Sequence, residues 1–290
     1  MPNDTQCFFV SDLHGRQAHY RKLFDAIKDW QPSLVFLGGD LLPATFSSPQ
    51  TTEHQQFDFI DHLLCSGFDE VRKSLGAKYP RVYLILGNDD LRSDEARICE
   101  GARDGLWEYI HESQVQFQEY SIWGYSYVPP TPFILKDWER YDVSRHLDPG
   151  CIHPEEGWHS QPPVPSDLKY KTISKDLEAL AGASNMEKAI FLFHTPPYQT
   201  NLDRVANDGK MIDHVPLDLH IGSIAVRRFI ESRQPYITLH GHVHESARIM
   251  GSWKDRIGRT FMLSAAHDGP ELALIRFPLE TPEAAVRDLL

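Results

Sequence analysis

Five short apolar runs, each ending in side chains that bind metals, constrain this chain more than any other feature of it. Cys7–Val10 runs into Asp12 and His14, and Leu34–Leu37 passes through Gly38 and Gly39 into Asp40. Val82–Leu86 leads through Gly87 to Asn88, Asp89 and Asp90. Ile190–Phe193 ends on His194, and Tyr236–Leu239 runs into His240-Gly241-His242-Val243-His244. Continuous apolar runs of this length, rich in Val, Ile and Phe, suit strands covered on both faces. In an open α/β sheet, ligands gather beyond the carboxyl ends of the strands, so these side chains are expected to meet in one crevice as a metal centre.

Helical patterns separate the runs. Tyr20, Leu23, Phe24, Ile27 and Trp30 recur at helical spacing. After a turn-rich stretch from Pro43 to Thr52, Phe57, Ile60, Leu63, Leu64, Phe68, Val71 and Leu75 mark a second helical face, ended by Gly76. Gly222-Ser223 opens a third, with Val226, Phe229 and Ile230 on one side. This alternation predicts an α/β fold with a largely parallel sheet and right-handed crossovers.

Residues 91–185 break the rhythm. Ser121–Val128 reads as a strand, stopped by Pro129, Pro130 and Pro132. A stretch at about 131–170, carrying Trp138, His146, His153, Trp158 and His159, reads as an irregular insertion within a single domain spanning 1–290. Lying over the strand ends, it either selects substrate or is a surface excursion with no role. Phe261–Phe277 reads as two short strands around His267, which is expected to be structural.

Charge and cysteines exclude several classes. The 290 residues carry 29 basic and 41 acidic side chains, a net charge of −12, which opposes binding to extended nucleic acid. Cys7, Cys65, Cys99 and Cys151 form no C-x-x-C pair, so a zinc ribbon and a redox motif are both absent, and a reduced compartment fits. No signal-like N-terminus precedes Asp12, and no apolar segment approaches the ~20 residues that span a bilayer. These features point to a cytoplasmic protein that does not engage membranes; the oligomeric state is not readable.

The ordered set D-x-H (12–14), G-D (39–40), G-N (87–88), His194 and G-H-x-H (241–244) resembles the calcineurin-like metallophosphoesterase superfamily. The H-T-P-P-Y stretch His194–Tyr198 and the G-H-V-H-E-S stretch Gly241–Ser246 look most like its small prokaryotic phosphoesterases. The resemblance implies a four-layer α/β/β/α sandwich with mixed sheets and a two-metal site. By that likeness Asp12, His14 and His244 would hold one ion, Asn88, His194 and His242 the other, and Asp40 would bridge them. This mixed nitrogen and oxygen set suits two divalent transition metal ions (manganese, iron or zinc) better than calcium, with the identity open. Two such ions, about 3.5–4 Å apart, turn a bridging water into a hydroxide that attacks phosphorus.

One position departs from the pattern. Where the superfamily carries His after G-N, this chain has Asp89, followed by Asp90. An ordinary carboxyl near pKa ~4 is ionised at neutral pH, and although burial or Asp90 would raise that value, nearby cations would lower it. Weak protonation of the leaving group is therefore expected, favouring aryl or cyclic diesters, unless Asp89 simply caps loop amides. Arg16 either reaches a bound phosphate as a catalytic group or is a solvated residue at a helix start. His240 and Tyr198 either touch substrate or orient ligands. Asp203 and Arg204 line the entrance or are solvated, and Trp138, Trp158 and Tyr127 stack on a base or belong to the core. The leading reading is a phosphodiesterase acting on a small phosphoester, a nucleotide among the candidates. A phosphomonoesterase or nucleotidase is the alternative. A non-catalytic protein-binding scaffold is the reading from another class, and the intact ligand set argues against it.

Overall fold

All five apolar runs become strands in the computed structural model, which describes residues 5–43 and 59–290. The turn-rich stretch beyond Pro43, and Phe57 of the second helical face, lie outside the described residues. In chain order the strands are β1 (Gln6–Val10), β2 (Leu34–Gly38), β3 (Arg81–Ile85), β4 (Glu108–Tyr109), β5 (Ser113–Phe117), β6 (Tyr120–Tyr125) and β7 (Ala189–Phe193). They continue as β8 (Met211–Ile212), β9 (Val215–Pro216), β10 (Ile237–His240), β11 (Lys254–Ile257), β12 (Thr260–Ser264), β13 (Ala273–Pro278) and β14 (Val286–Leu289).

The strands form two six-stranded sheets, β14-β13-β1-β2-β3-β4 and β11-β12-β10-β7-β6-β5, plus the hairpin β8-β9. The five runs pair in parallel, β1-β2-β3 in one sheet and β7-β10 in the other. The expectation of one largely parallel sheet needs correcting: antiparallel neighbours β13, β14, β5 and β11 make both sheets mixed. Strand-by-strand pattern cannot register this split, because a strand covered by a helix on one face and a second sheet on the other is as apolar as one covered by two helices.

Alternate side chains show how the layers stack. Phe8, Val10, Val35, Leu37, Val82 and Leu84 belong to a core shared with the helices Gln17–Trp30 and Ser66–Leu75. Their neighbours Cys7, Phe9, Leu34, Phe36, Tyr83 and Ile85 face Ile122, Ile190, Leu192, Ile237 and Leu239 of the second sheet. Phe36 stacks on Tyr83 at 5.6 Å between the sheets. The expected helix after Gly222-Ser223 spans Ile224–Arg233, with Ser223 Oγ accepting from Val226 N–H at 3.0 Å as its N-cap. Among the described residues, no helix is long and apolar enough to cross a membrane.

The 131–170 segment contains no named strand and ends in the short helix Pro165–Tyr170. Two carboxylates, one buried and one half-buried, pin this part of the chain. Glu139 accepts from Thr131 N–H at 2.8 Å, from its hydroxyl at 2.5 Å and from the fully buried Lys136 ammonium at 2.5 Å. Asp142 accepts from Ser223 Oγ and Ile224 N–H at 2.5 and 2.7 Å, fastening the segment to a helix of the second sheet.

Candidate metal centre

The carboxyl ends of β1, β2, β3, β7 and β10 carry the ligand loops, and these loops are laced to one another. Asp12 N–H donates to Gly39 O at 3.0 Å, His14 N–H to Asp40 O at 2.8 Å, and Gly241 N–H to His194 O at 2.9 Å. Asp12, His14, Asp40 and His242 all adopt the left-handed backbone region, with φ of 58°, 45°, 52° and 72°. Such strain persists where the surroundings over-determine it, and it turns these side chains inward. Glycines precede the ligands because backbones approach closely here. A Cβ on Gly87 would lie 2.3 Å from Asp40 Oδ1, and one on Gly241 would lie 2.7 Å from Asp12 Oδ2.

The donor atoms gather in two overlapping groups. Asp12, His14, Asp40 and His244 each offer an atom within 4.8 Å of the others, as do Asp40, His194 and His242, so Asp40 belongs to both. Within the first group, His14 Nε2 faces His244 Nε2 at 3.1 Å, and His244 Nε2 lies 3.2 Å from Asp12 Oδ1. In the second, His194 Nε2 is 3.0 Å from Asn88 Oδ1 and 3.2 Å from Asp40 Oδ2. The other nitrogen of His194 is tied to Gly38 O at 2.8 Å, which orients the ring toward the site.

The residues fit a pair of cations. Asp12 Oδ2 is buried with no hydrogen-bond partner, an acceptor left open toward its neighbours. Buried carboxylates demand positive charge. Burial, the largest single influence, opposes charge on His194 and His244, yet the carboxylates of Asp40 and Asp12 together outweigh it, pushing them up to about 10 and about 9. Burial works against a charged Asp40 too, but His194 holds that carboxyl well below the usual range. Burial alone dominates at His242 and brings it down to about 3.

Asp89 and Asp90 part company. The Asp89 carboxylate lies 3.6 Å from His14 Nδ1 and lines the cavity above the ligands, while its N–H donates to Asp40 Oδ1 at 2.8 Å. The charge on Asp40, then burial, pushes this carboxyl up to about 7. Asp90 is fully buried and accepts from the N–H groups of Gly87, Leu41 and Leu42 at 2.8, 3.1 and 2.7 Å, which locks the Asp40 loop to the Asn88 loop. Burial and then Asp40 push it up to about 8, against the pull of those three donors.

Other expected residues sit elsewhere. Arg16 is exposed and donates to Gly269 O at 3.3 Å, beside a separate hollow with His19 and Pro270. His240 stacks on Phe193 and is bonded to Thr195 O and Thr238 Oγ1, a core histidine between ligand strands. His267 pairs with Glu271 at 3.1 Å. The Tyr198 hydroxyl donates to Asp218 at 2.6 Å. Asp203, read by default as solvated, is fully buried and accepts from Gln199, Thr200 and Gly222 N–H groups, so it is a loop organiser. Trp138 and Tyr127 are core, whereas Trp158 is exposed.

A cavity of about 430 Å³ opens directly over Asp40, Asn88, Asp89, His242 and His244. Its far wall comes from Pro129–Phe133, Asp148–Cys151 and the β8-β9 hairpin. Sequence reasoning passed over the hairpin. Its signal was Met211-Ile212 and Val215-Pro216 flanking Asp213-His214, both at positive φ as a tight two-residue turn requires.

The profile of the calcineurin-like phosphoesterase family matches residues 7–246. The chain belongs to that family. Membership makes it a metal-dependent phosphoester hydrolase, and the Asp and His cluster is one that could bind metals. The fold is shared with the Thermus thermophilus protein TT1561, at 15% identity, a TM-score of 0.56 and 99% coverage of both chains. It is shared as well with a dimetal phosphatase from Danio rerio, at 12% identity and a TM-score of 0.52, over 94% of this chain and 92% of that one. Among curated proteins, none matches this calcineurin-like phosphoesterase in sequence.

Proposed function

We propose that the protein is a dinuclear phosphodiesterase acting on a small phosphoester. The carrying observation is two donor groups that share Asp40, beneath a cavity of substrate size. In this reading Asp12, His14 and His244 would hold one ion, Asn88, His194 and His242 the other, and Asp40 would contribute to both. Bound divalent cations, manganese among them, supply Lewis-acid charge at the phosphoryl oxygens and make water acidic enough to attack phosphorus. Asp90 positions the Asp40 and Asn88 loops, and the 131–170 segment shapes the substrate side. Arg16 braces the loop at Gly269, so phosphate contacts fall to the ions and Asn88. The four free thiols support a cytoplasmic setting.

Diesters are favoured over monoesters because a carboxylate, Asp89, takes the place beside Asn88 from which an imidazole would serve a poor leaving group, and bound cations would pull its raised pKa back down and keep it ionised. The test compares bis(p-nitrophenyl) phosphate with an alkyl monoester, in the presence of manganese, for wild type and Asp89→His. The wild type should prefer the diester, and the variant should gain at least tenfold on the alkyl monoester relative to the aryl diester. A wild type faster on the monoester, or a variant with an unchanged ratio, contradicts the assignment.

A further inference from the structure

Among the described residues, those lining the cavity over the candidate ligands include no lysine and no arginine. Arg204 and Lys210 do not line it, but each holds a lining residue: Arg204 bonds Val205 O as well as Asp208, and Lys210 bonds Asn207 Oδ1. Asp148, Asp218 and Glu245 stand around the cavity instead. Charge on Asp218 helps burial push the Asp148 carboxyl up, which places the two acids within electrostatic reach. Between them the surface is apolar. Phe133, Ile212 and Ile221 line it, yet keep 59%, 38% and 38% of their area exposed. Ile212 packs against its neighbour in that wall, its Cδ1 only 2.5 Å from where a Gly150 Cβ would stand.

Exposed apolar surface continuous with a reactive centre marks the place where the organic part of a substrate is held. A second phosphate on this apolar stretch would find no cationic side chain among the described lining residues and would face three carboxylates in a partly desolvated site. Resting on the phosphoesterase reading above, we infer that the cavity selects esters of a single phosphate whose remaining substituent is uncharged and apolar. Nucleoside polyphosphates and other polyanions are rejected. Ile212 and Phe133 set this preference, and the hairpin carrying Ile212 is the specificity element.

The test holds the leaving group constant. Manganese-loaded full-length protein is assayed at fixed ionic strength on p-nitrophenyl phenyl phosphate, thymidine 5′-(p-nitrophenyl phosphate) and the same thymidine diester bearing a 3′-phosphate. In each, the phosphorus–oxygen bond to nitrophenolate breaks, a bond to water oxygen forms, and the water proton passes to solvent. The phenyl diester should have the highest kcat/KM, and the 3′-phosphate should lower kcat/KM at least tenfold below that of thymidine alone. Ile212→Arg, on an exposed hairpin, should narrow that gap at least threefold with metal content and Tm unchanged. Phe133→Ala should lower kcat/KM on the phenyl diester through KM. A 3′-phosphate substrate within twofold of the unphosphorylated one, or an Ile212→Arg ratio equal to wild type, overturns the inference while leaving the hydrolase intact. No turnover of any of the three overturns the phosphoesterase reading itself.

Discussion

On one side of the cavity each functional side chain leaves the end of a buried strand, and its loop is hydrogen-bonded to the loop beside it. On the other side, Pro129–Phe133, Asp148–Cys151 and the hairpin are irregular or short, and the wall segment reaches the core through Glu139, Asp142 and a few aromatic rings. The metal side is specified many times over: by strand ends, left-handed turns, close glycines and Asp90. The substrate side hangs on a few polar bonds. Changes on the first should abolish chemistry while sparing the fold, and changes on the second should alter stability and substrate choice while sparing the ions.

The largest effect is expected from Asp40→Ala. It removes the one carboxylate common to both donor groups, so metal content should fall from two ions per chain toward one or none. Activity should drop by more than the ~10–100-fold that loss of an outer-shell partner costs. Metal analysis beside the diester assay measures both. A variant that keeps two ions and near-normal turnover would erase the contrast between the two sides.

Next is the wall. Lys136→Met strands the 2%-exposed Glu139 without its counter-charge. Breaking a buried pair from one side costs about 3–5 kcal/mol, and replacing both partners by apolar residues is often close to neutral. Lys136→Met should therefore lower Tm by many degrees, and the double variant with Glu139→Gln, which removes the charge but keeps an acceptor for Thr131, should recover most of the loss. Both should keep full metal content, with the damage appearing in KM. Loss of metal in the single variant would mean that the wall and the ligand side are not separable.

The convergence of these donor side chains was legible in the sequence because its physics is local. Every ligand sits within a few residues of an apolar strand, and Gly87 and Gly241 announce the close approaches at Asp40 and Asp12. The sheet split was not legible, since Phe8 and Phe9 are equally apolar although one faces helices and the other a second sheet. Nor was the far wall. Ile212 meets Gly150 only through tertiary packing, and Asp203 looks like any surface acid until four donors converge on it. Spacing conveys chemistry when neighbours in sequence share a task, and these residues share theirs only in space.

His111 gives the finest discrimination, because it joins the two sides. Its ring packs edge-on against Trp138 at 5.0 Å and Tyr127 at 5.2 Å, accepts Ser126 N–H at Nδ1, and leaves Nε2 buried without a partner. Arg92 and Arg140 lie over the same rings, and Glu112, 3.8 Å away and 40% exposed, is too weak a counter-charge to offset them. Burial first, then the two guanidiniums, lowers this imidazole well below its ordinary value. Below pH ~6.5 the unfolded chain takes up a proton that the folded chain refuses, so stability is present above that pH and declines as pH falls, by about 2 kcal/mol at pH 5. His111→Gln keeps an acceptor for Ser126 and removes the titration. Denaturant unfolding at pH 7.5 and pH 5 should therefore show a shallower acid loss in the variant than in wild type, by that amount. Parallel curves would mean that His111 is protonated in place, and that the joint between sheet and wall is more open to water than its packing implies.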